Sequence, residues 1–227
     1  KILGRFIKPT CIIELPENMA FKLMGAAMKI SDDPVIKQEW DEILFDLEER
    51  TGYSRKRIKQ SAGIEDKQLR GILPIHPYAA SLLKHISASF ASNQRSMFDF
   101  IKNSGNEDLK GFQWYIDNFG PFSENPFLTV DLLWGFFYDN GKNDLSQNIR
   151  QILDRYANLA KQLDDEEQKV LKTILLFQAM SESASDQIDI FLPNENNLNL
   201  AFEGTDFESG QAVKCAEKLV REKVIYK

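Results

Sequence analysis

Apolar residues recur at three- and four-residue spacing through most of this 227-residue chain. That pattern commits it to packed helices, because a sheet with one buried face would need alternation with a period of two. Phe21, Met24, Ala27 and Met28 mark one helix from about Glu17 to Ile30, and Ile36, Trp40, Ile43, Leu44 and Leu47 mark a second. Ser31-Asp32-Asp33-Pro34 opens the second: an aspartate accepts from free first-turn N–H groups, and a proline there forfeits no hydrogen bond. Thr51-Gly52 is expected to close it, with glycine supplying a left-handed residue. Strand signals are confined to Thr10–Leu15, between Pro9 and Pro16, and to Val224-Ile225-Tyr226-Lys227. With a start at Lys1 and a strand only begun at Lys227, both ends read as cuts in a longer protein.

Between these ends the helical pattern continues. Residues 48–70 are poor in apolar side chains and rich in Arg50, Arg55, Lys56, Arg57, Lys59, Lys67 and Arg70, so short helices or an exposed loop suit them equally. Leu73-Pro74-Ile75-His76-Pro77 is expected to be extended, since residues before proline are pushed out of the helical region. Pro77 opens a helix carrying Leu82, Leu83, Ile86 and Phe90, and Met97, Phe98, Phe100 and Ile101 form a further stripe. A short helix over about 109–119 precedes a loop; Thr129 then caps a helix with Leu132, Leu133, Phe136 and Phe137 inward, ended by Asn140-Gly141. Leu145, Ile149, Ile152, Tyr156, Leu159 and Leu163 fall at 4-3-4-3-4 spacing, which predicts one long helix lying along another. Helices follow from Asp164, over about 195–202 and over about 208–222.

The expected fold is therefore mainly α. Residues 1–16 read as strand and linker, 17–163 as a multi-helix bundle, and 164–227 as a winged helix-turn-helix lacking most of its wing, because three helices followed by a strand is that motif's order.

Composition narrows the function. Twenty-eight basic residues against thirty-four acidic give a net charge of −6, which excludes a generally basic nucleic-acid binder. Cys11 and Cys215 stand far apart and form no CxxC, so neither a disulfide scaffold nor a cysteine zinc site is expected. No apolar run approaches the roughly 18 residues of a membrane span. The two histidines, His76 and His85, are nine residues apart and cannot form an HExxH pair, and no GxSxG, GxGxxG or P-loop motif occurs. Asp164-Asp165-Glu166-Glu167 complements the positive start of a helix better than it suits a metal. The aromatics from Phe112 to Phe137 have helical spacing, which favours a core over a base-stacking platform.

The stretch from Leu73 to Ile101 resembles a known family, the large P-loop ATPases of bacterial phage-defence and DNA-repair gene clusters, related to the AAA+ and STAND classes. A PxHP element matches at Pro74, His76 and Pro77. An FxxNxRSxFxFL element matches at Phe90, Asn93, Arg95, Ser96, Phe98 and Phe100, with Ile101 in place of leucine. Gly4-Arg5-Phe6 and Leu15-Pro16-Glu17 are similar to the segment where that family's ATPase core passes into its helical lid, and LKTILLF…VIYK is similar to the winged-helix segment after it.

The resemblance implies a lid and winged helix whose Walker A and B segments lie outside these residues. The fragment alone is then inactive, with ATP and Mg bound by the parent, and its partners are the missing ATPase core and other copies of the chain in a cytoplasmic homo-oligomer. On this basis Arg95 is a candidate nucleotide sensor or finger, or a helix-start arginine paired with Asp99 one turn on. His76 is a candidate nucleotide contact, or a buried histidine bonded to backbone. The alternative reading is a DNA-binding module, with Lys214, Lys218, Arg221 and Lys223 on phosphates and Glu208, Glu217 and Glu222 offsetting their charge.

Overall fold

The structure, a computed structural model, describes residues 17–28, 31–88, 97–102, 110–183 and 188–226. Among them the chain is mainly helical, with twelve α-helices; strand-like pairing is confined to a parallel bridge between Ile75 and Leu128. The expected strand at Thr10–Leu15 lies outside the described residues, as do Phe90, Asn93, Arg95 and Ser96.

Local chemistry sets most helix starts. Helix α1 (Glu17–Ala27) buries Phe21 and Met24. Helix α2 (Pro34–Arg50) begins where the Asp33 carboxylate accepts from the Val35 and Ile36 N–H groups at 2.8 and 3.4 Å. It ends differently from expectation: the Thr51 hydroxyl donates back to the Leu47 carbonyl at 2.9 Å, and Gly52 opens α3 (Gly52–Ala62) at once. The left-handed glycine here is Gly63, at φ 62°, after α3. The start of α3 is capped from far along the chain, by the Glu203 carboxylate, which accepts from Tyr53 N at 3.0 Å and Ser54 N at 2.6 Å.

Part of the basic stretch forms a charge network. Helix α4 (Asp66–Gly71) places Asp66 against Lys59, while Glu48 takes both Arg55 and Arg70. Arg55 is only 7% exposed.

Ile75 and His76 run extended beside Leu128, and α5 (Pro77–Ala88) follows with Tyr78, Leu82, Leu83 and Ile86 buried. Helices α6 (Met97–Lys102) and α7 (Phe112–Asn118) pack next, and Phe100 meets Phe136 edge-on at 5.2 Å. The aromatic stretch is core: Tyr115, Phe127, Trp134, Phe136 and Phe137 are buried. After a 3-10 turn at Val130–Leu132, a π-helical turn at Gly135–Asp139 ends with Asn140, whose N–H and side-chain amide both reach the Gly135 carbonyl.

The single long helix expected over 145–163 is broken. It forms α8 (Gln147–Leu153), α9 (Arg155–Leu159) and a 3-10 turn (Ala160–Gln162). The break turns Tyr156 onto Trp134, with ring centroids 4.8 Å apart. Helix α10 (Asp165–Ser183) starts with a capping box: Asp164 accepts from Glu167 N at 2.9 Å, and Glu167 accepts from Asp164 N at 3.1 Å. It packs on α8, α5, α11 (Glu195–Ala201) and α12 (Gln211–Arg221). One buried cluster therefore continues from α1 to α12 across residues 163 and 164, where the sequence reading divides the chain.

The expected strand after α12 is a helix stop instead. Lys223 adopts φ 60°, its N–H bonds Val220 O at 3.0 Å, and Val224 N bonds Leu219 O at 2.8 Å. This pairing is the Schellman motif, in which glycine is the favoured left-handed residue. A lysine there carries a left-handed penalty of roughly 1–2 kcal/mol that glycine escapes. Lys223→Gly is therefore expected to stabilise the fold by about 1 kcal/mol, a Tm rise of about 2–4 °C. A lowered Tm would contradict this account of the turn.

Candidate functional site

Of the sequence-predicted site residues that the structure describes, His76 is the one enclosed. It is 0% exposed, its Nδ1 accepts from Tyr78 N at 3.3 Å, and the Phe127 ring stands edge-on at 5.7 Å. Nε2 faces the main chain of Glu203 without closing a hydrogen bond of normal geometry. Burial lowers the imidazole pKa to about 3, so the ring is neutral. Among the described residues His76 is thus enclosed, with a backbone amide as the donor to its Nδ1.

The four cations of the α12 end are not equivalent. Lys214, Arg221 and Lys223 are exposed. Lys218 is taken by the acidic start of α10, where it pairs with Glu167 and lies 3.9 Å from Asp164. The hydrogen bond to Glu167 raises its pKa, reinforcing the charged state of the pair. The acidic cluster at 164–167 is thereby occupied by helix capping and by Lys218.

Two other groups of titratable side chains occur. Beside the π-helical turn, Asp131 is buried, accepts from the Thr129 hydroxyl at 2.6 Å, and is pushed up by burial. Asp139 accepts from the Trp134 indole at 3.2 Å and is likewise raised, by the protein on its inner side. Lys172 lies over the Tyr156 ring at 5.2 Å, and burial lowers its pKa against the pull of both aspartates. The half-buried Cys215 thiol is raised by burial and by Glu166, Asp164 and Glu167, so it stays protonated and a poor nucleophile. Among the described residues, no three His, Cys, Asp or Glu side chains gather as metal ligands would.

One concave feature was not anticipated from sequence. It is a groove of about 1380 Å³ bounded by α9, α10, α11, α12 and the turn after α12. Its floor is apolar, including Ile174, Leu175, Leu198, Val213 and Val220. Carboxamides from Asn158, Gln178, Asn194, Asn196 and Asn197 edge it, with Arg57 and Arg155 as its cations and Glu182, Glu195 and Glu217 as its acids. Asn197 is fixed: its Nδ2 donates to Asp189 O and Leu192 O, and its Oδ1 accepts from Tyr78 at 3.0 Å. Arg57 sits by that Tyr78, with its Nε buried and lacking an acceptor. Apolar area, amides and two arginines suit this surface to binding an amphipathic surface.

Two local signals pointed towards it. The run Glu195-Asn196-Asn197-Leu198-Asn199 is amide-rich, and the apolar face of α12 is broader than one neighbour can cover. Val213, Ala216 and Val220 of α12 are only half-buried, because they line the groove.

The chain matches no protein family's sequence profile, no curated protein and no solved structure. No helix among the described residues is long and apolar enough to cross a membrane.

Proposed function

We propose that this chain is a non-catalytic coupling module of a larger P-loop ATPase, a lid-like bundle followed by a winged-helix-like segment in α10–α12. It passes nucleotide state on by moving against the ATPase core as a packed body. The observation that supports this reading is the continuity of the core. Helix α5, which the PxHP element opens, packs on α6 at one end of the resemblance and on α10 and α11 beside the groove. A displacement at α6 therefore reaches the groove through helices packed on one another.

ATP and Mg are assigned to the parent's core. Among the described residues His76 is closed off from open space, so no step is routed through nucleotide here. The DNA-binding alternative keeps the exposed Lys214, Arg221 and Lys223, but Lys218 is consumed internally, leaving a weak and salt-sensitive contact.

The test is ATP turnover by the full-length gene product. Arg95→Ala is expected to lower kcat by at least about 10³-fold, the scale for loss of an arginine on the transferring phosphate, with unchanged far-UV circular dichroism. Unchanged turnover in Arg95→Ala, or a full-length product without ATPase activity, rejects the reading.

A further inference from the structure

We infer that Asn140 is a deamidation site gated by the π-helical turn, and that its conversion to aspartate or isoaspartate loosens the turn that protects it. Asn140-Gly141 is the one Asn-Gly pair in the chain. Asparagine is a thermolabile residue. A following glycine favours attack on its amide, because no side chain hinders the glycine nitrogen. Asn140 is exposed, so water reaches the reacting group.

The chemistry needs water and no other reagent. The Gly141 main-chain nitrogen gives up its proton and attacks Asn140 Cγ. The new N–C bond closes a five-membered imide, the Cγ–Nδ2 bond breaks, and the amide nitrogen leaves as ammonia with that proton. Water then opens the ring. Cleavage at Cγ gives aspartate, and cleavage at the main-chain carbonyl gives isoaspartate. One water enters and one ammonia leaves, with no change of oxidation state.

The fold opposes the first step. Asn140 Nδ2 donates to the Gly135 carbonyl at 3.0 Å, beside its own N–H at 3.2 Å. The Asn140 backbone sits at φ −100° and ψ −18°, close to helical. Ring closure instead requires the Gly141 nitrogen to eclipse Asn140 Cβ, so the side-chain bond must break and ψ must turn first. That rotation also pulls on the next residues, where Lys142 N bonds Tyr138 O and Asp144 N bonds Gly141 O, both at 2.9 Å. Deamidation therefore waits on local opening of the turn.

The product cannot restore what was there. An aspartate at 140 has no donor for the Gly135 carbonyl, and it adds a negative charge next to Asp139. Isoaspartate also lengthens the main chain between residues 140 and 141, which displaces the Lys142 N–H from the Tyr138 carbonyl. The loosened turn carries Phe136 and Phe137, both buried and packed on Phe100.

Peptide mapping by mass spectrometry, with enzymatic methylation of isoaspartate as a second readout, follows residue 140 in the purified chain. The chain is incubated at mildly alkaline pH, folded and in urea. Asn140 is expected to deamidate at least about tenfold faster in urea, where no opening step is needed. Gly141→Ala is expected to suppress the reaction in urea. Asn140→Asp, which carries the product side chain from the start, is expected to lower Tm by about 2–4 °C. Equal rates in the folded and urea-unfolded chain overturn the gate, and no product at residue 140 in urea overturns the site. An unchanged Tm in Asn140→Asp and in isoaspartate-bearing chains overturns the effect on the turn.

Discussion

Replacing Glu48 with alanine is expected to destabilise the chain by about 3–5 kcal/mol, the cost of removing one partner from a buried ion pair. Glu48 leaves α2 where that helix meets α3 and α4, and its two carboxylate oxygens serve two arginines: Oε1 accepts from Arg55 at 2.8 Å and Oε2 pairs with Arg70. Arg55 is the decisive member. Its side chain is 9% exposed, and its remaining contacts are the Asp66 carbonyl at 3.4 Å and the Asp66 carboxylate at 3.8 Å. Without Glu48 that guanidinium stays buried with one distant carboxylate, whereas Arg70 at 34% exposure recovers water and keeps Asp41. Thermal unfolding is expected to shift down by about 6–20 °C. Arg70→Ala is the internal comparison, with a cost of about 1 kcal/mol, as for a largely solvated pair. Equal losses from Glu48→Ala and Arg70→Ala would mean that burial of Arg55 does not set the energy of this junction.

That junction also separates what a sequence discloses from what it withholds. Asp33-Pro34 and the Asp164/Glu167 pair are local chemistry: the capping groups lie within three residues of the amides they serve, so the starts of α2 and α10 are readable from residue order. The basic run from Arg50 to Arg70 is not, because its meaning depends on Asp41, Glu48 and Asp66 being brought round by folding. Leu145–Leu163 has an unbroken seam on paper; in space Tyr156 gains more by leaving the line to meet Trp134, and the helix divides. Val224 has strand propensity, but a hydrogen bond to Leu219 and the left-handed Lys223 fold it back onto α12. The groove is the extreme case, since Arg57 of α3 and short runs of α9, α10, α11 and α12 form it only once folding brings them together. His76 was legible as a buried histidine beside prolines, but its enclosure by Phe127 and Glu203, 51 and 127 residues further on, was not.

His76 makes the fold sensitive to acid from about pH 6.5 downward, a window that opens above the range of ordinary carboxylates. Its pKa falls from the usual 6.5 to about 3 because burial penalises the charged ring. The unfolded chain therefore binds one proton more than the folded one between those two values, and unfolding gains free energy with each unit of falling pH. The slope approaches about 1.4 kcal/mol per pH unit. From pH 7 to pH 4.5 this one residue is expected to remove on the order of 2–3 kcal/mol of stability. His76→Gln keeps an acceptor for Tyr78 N but cannot take the proton, so it should be less stable than the parent at pH 7, where the imidazole packs against Phe127. The gap is expected to narrow or reverse by pH 4.5. Urea unfolding of both proteins at the two pH values measures this directly. Parallel acid limbs for the parent and His76→Gln would show that His76 is not the group whose protonation opens the core.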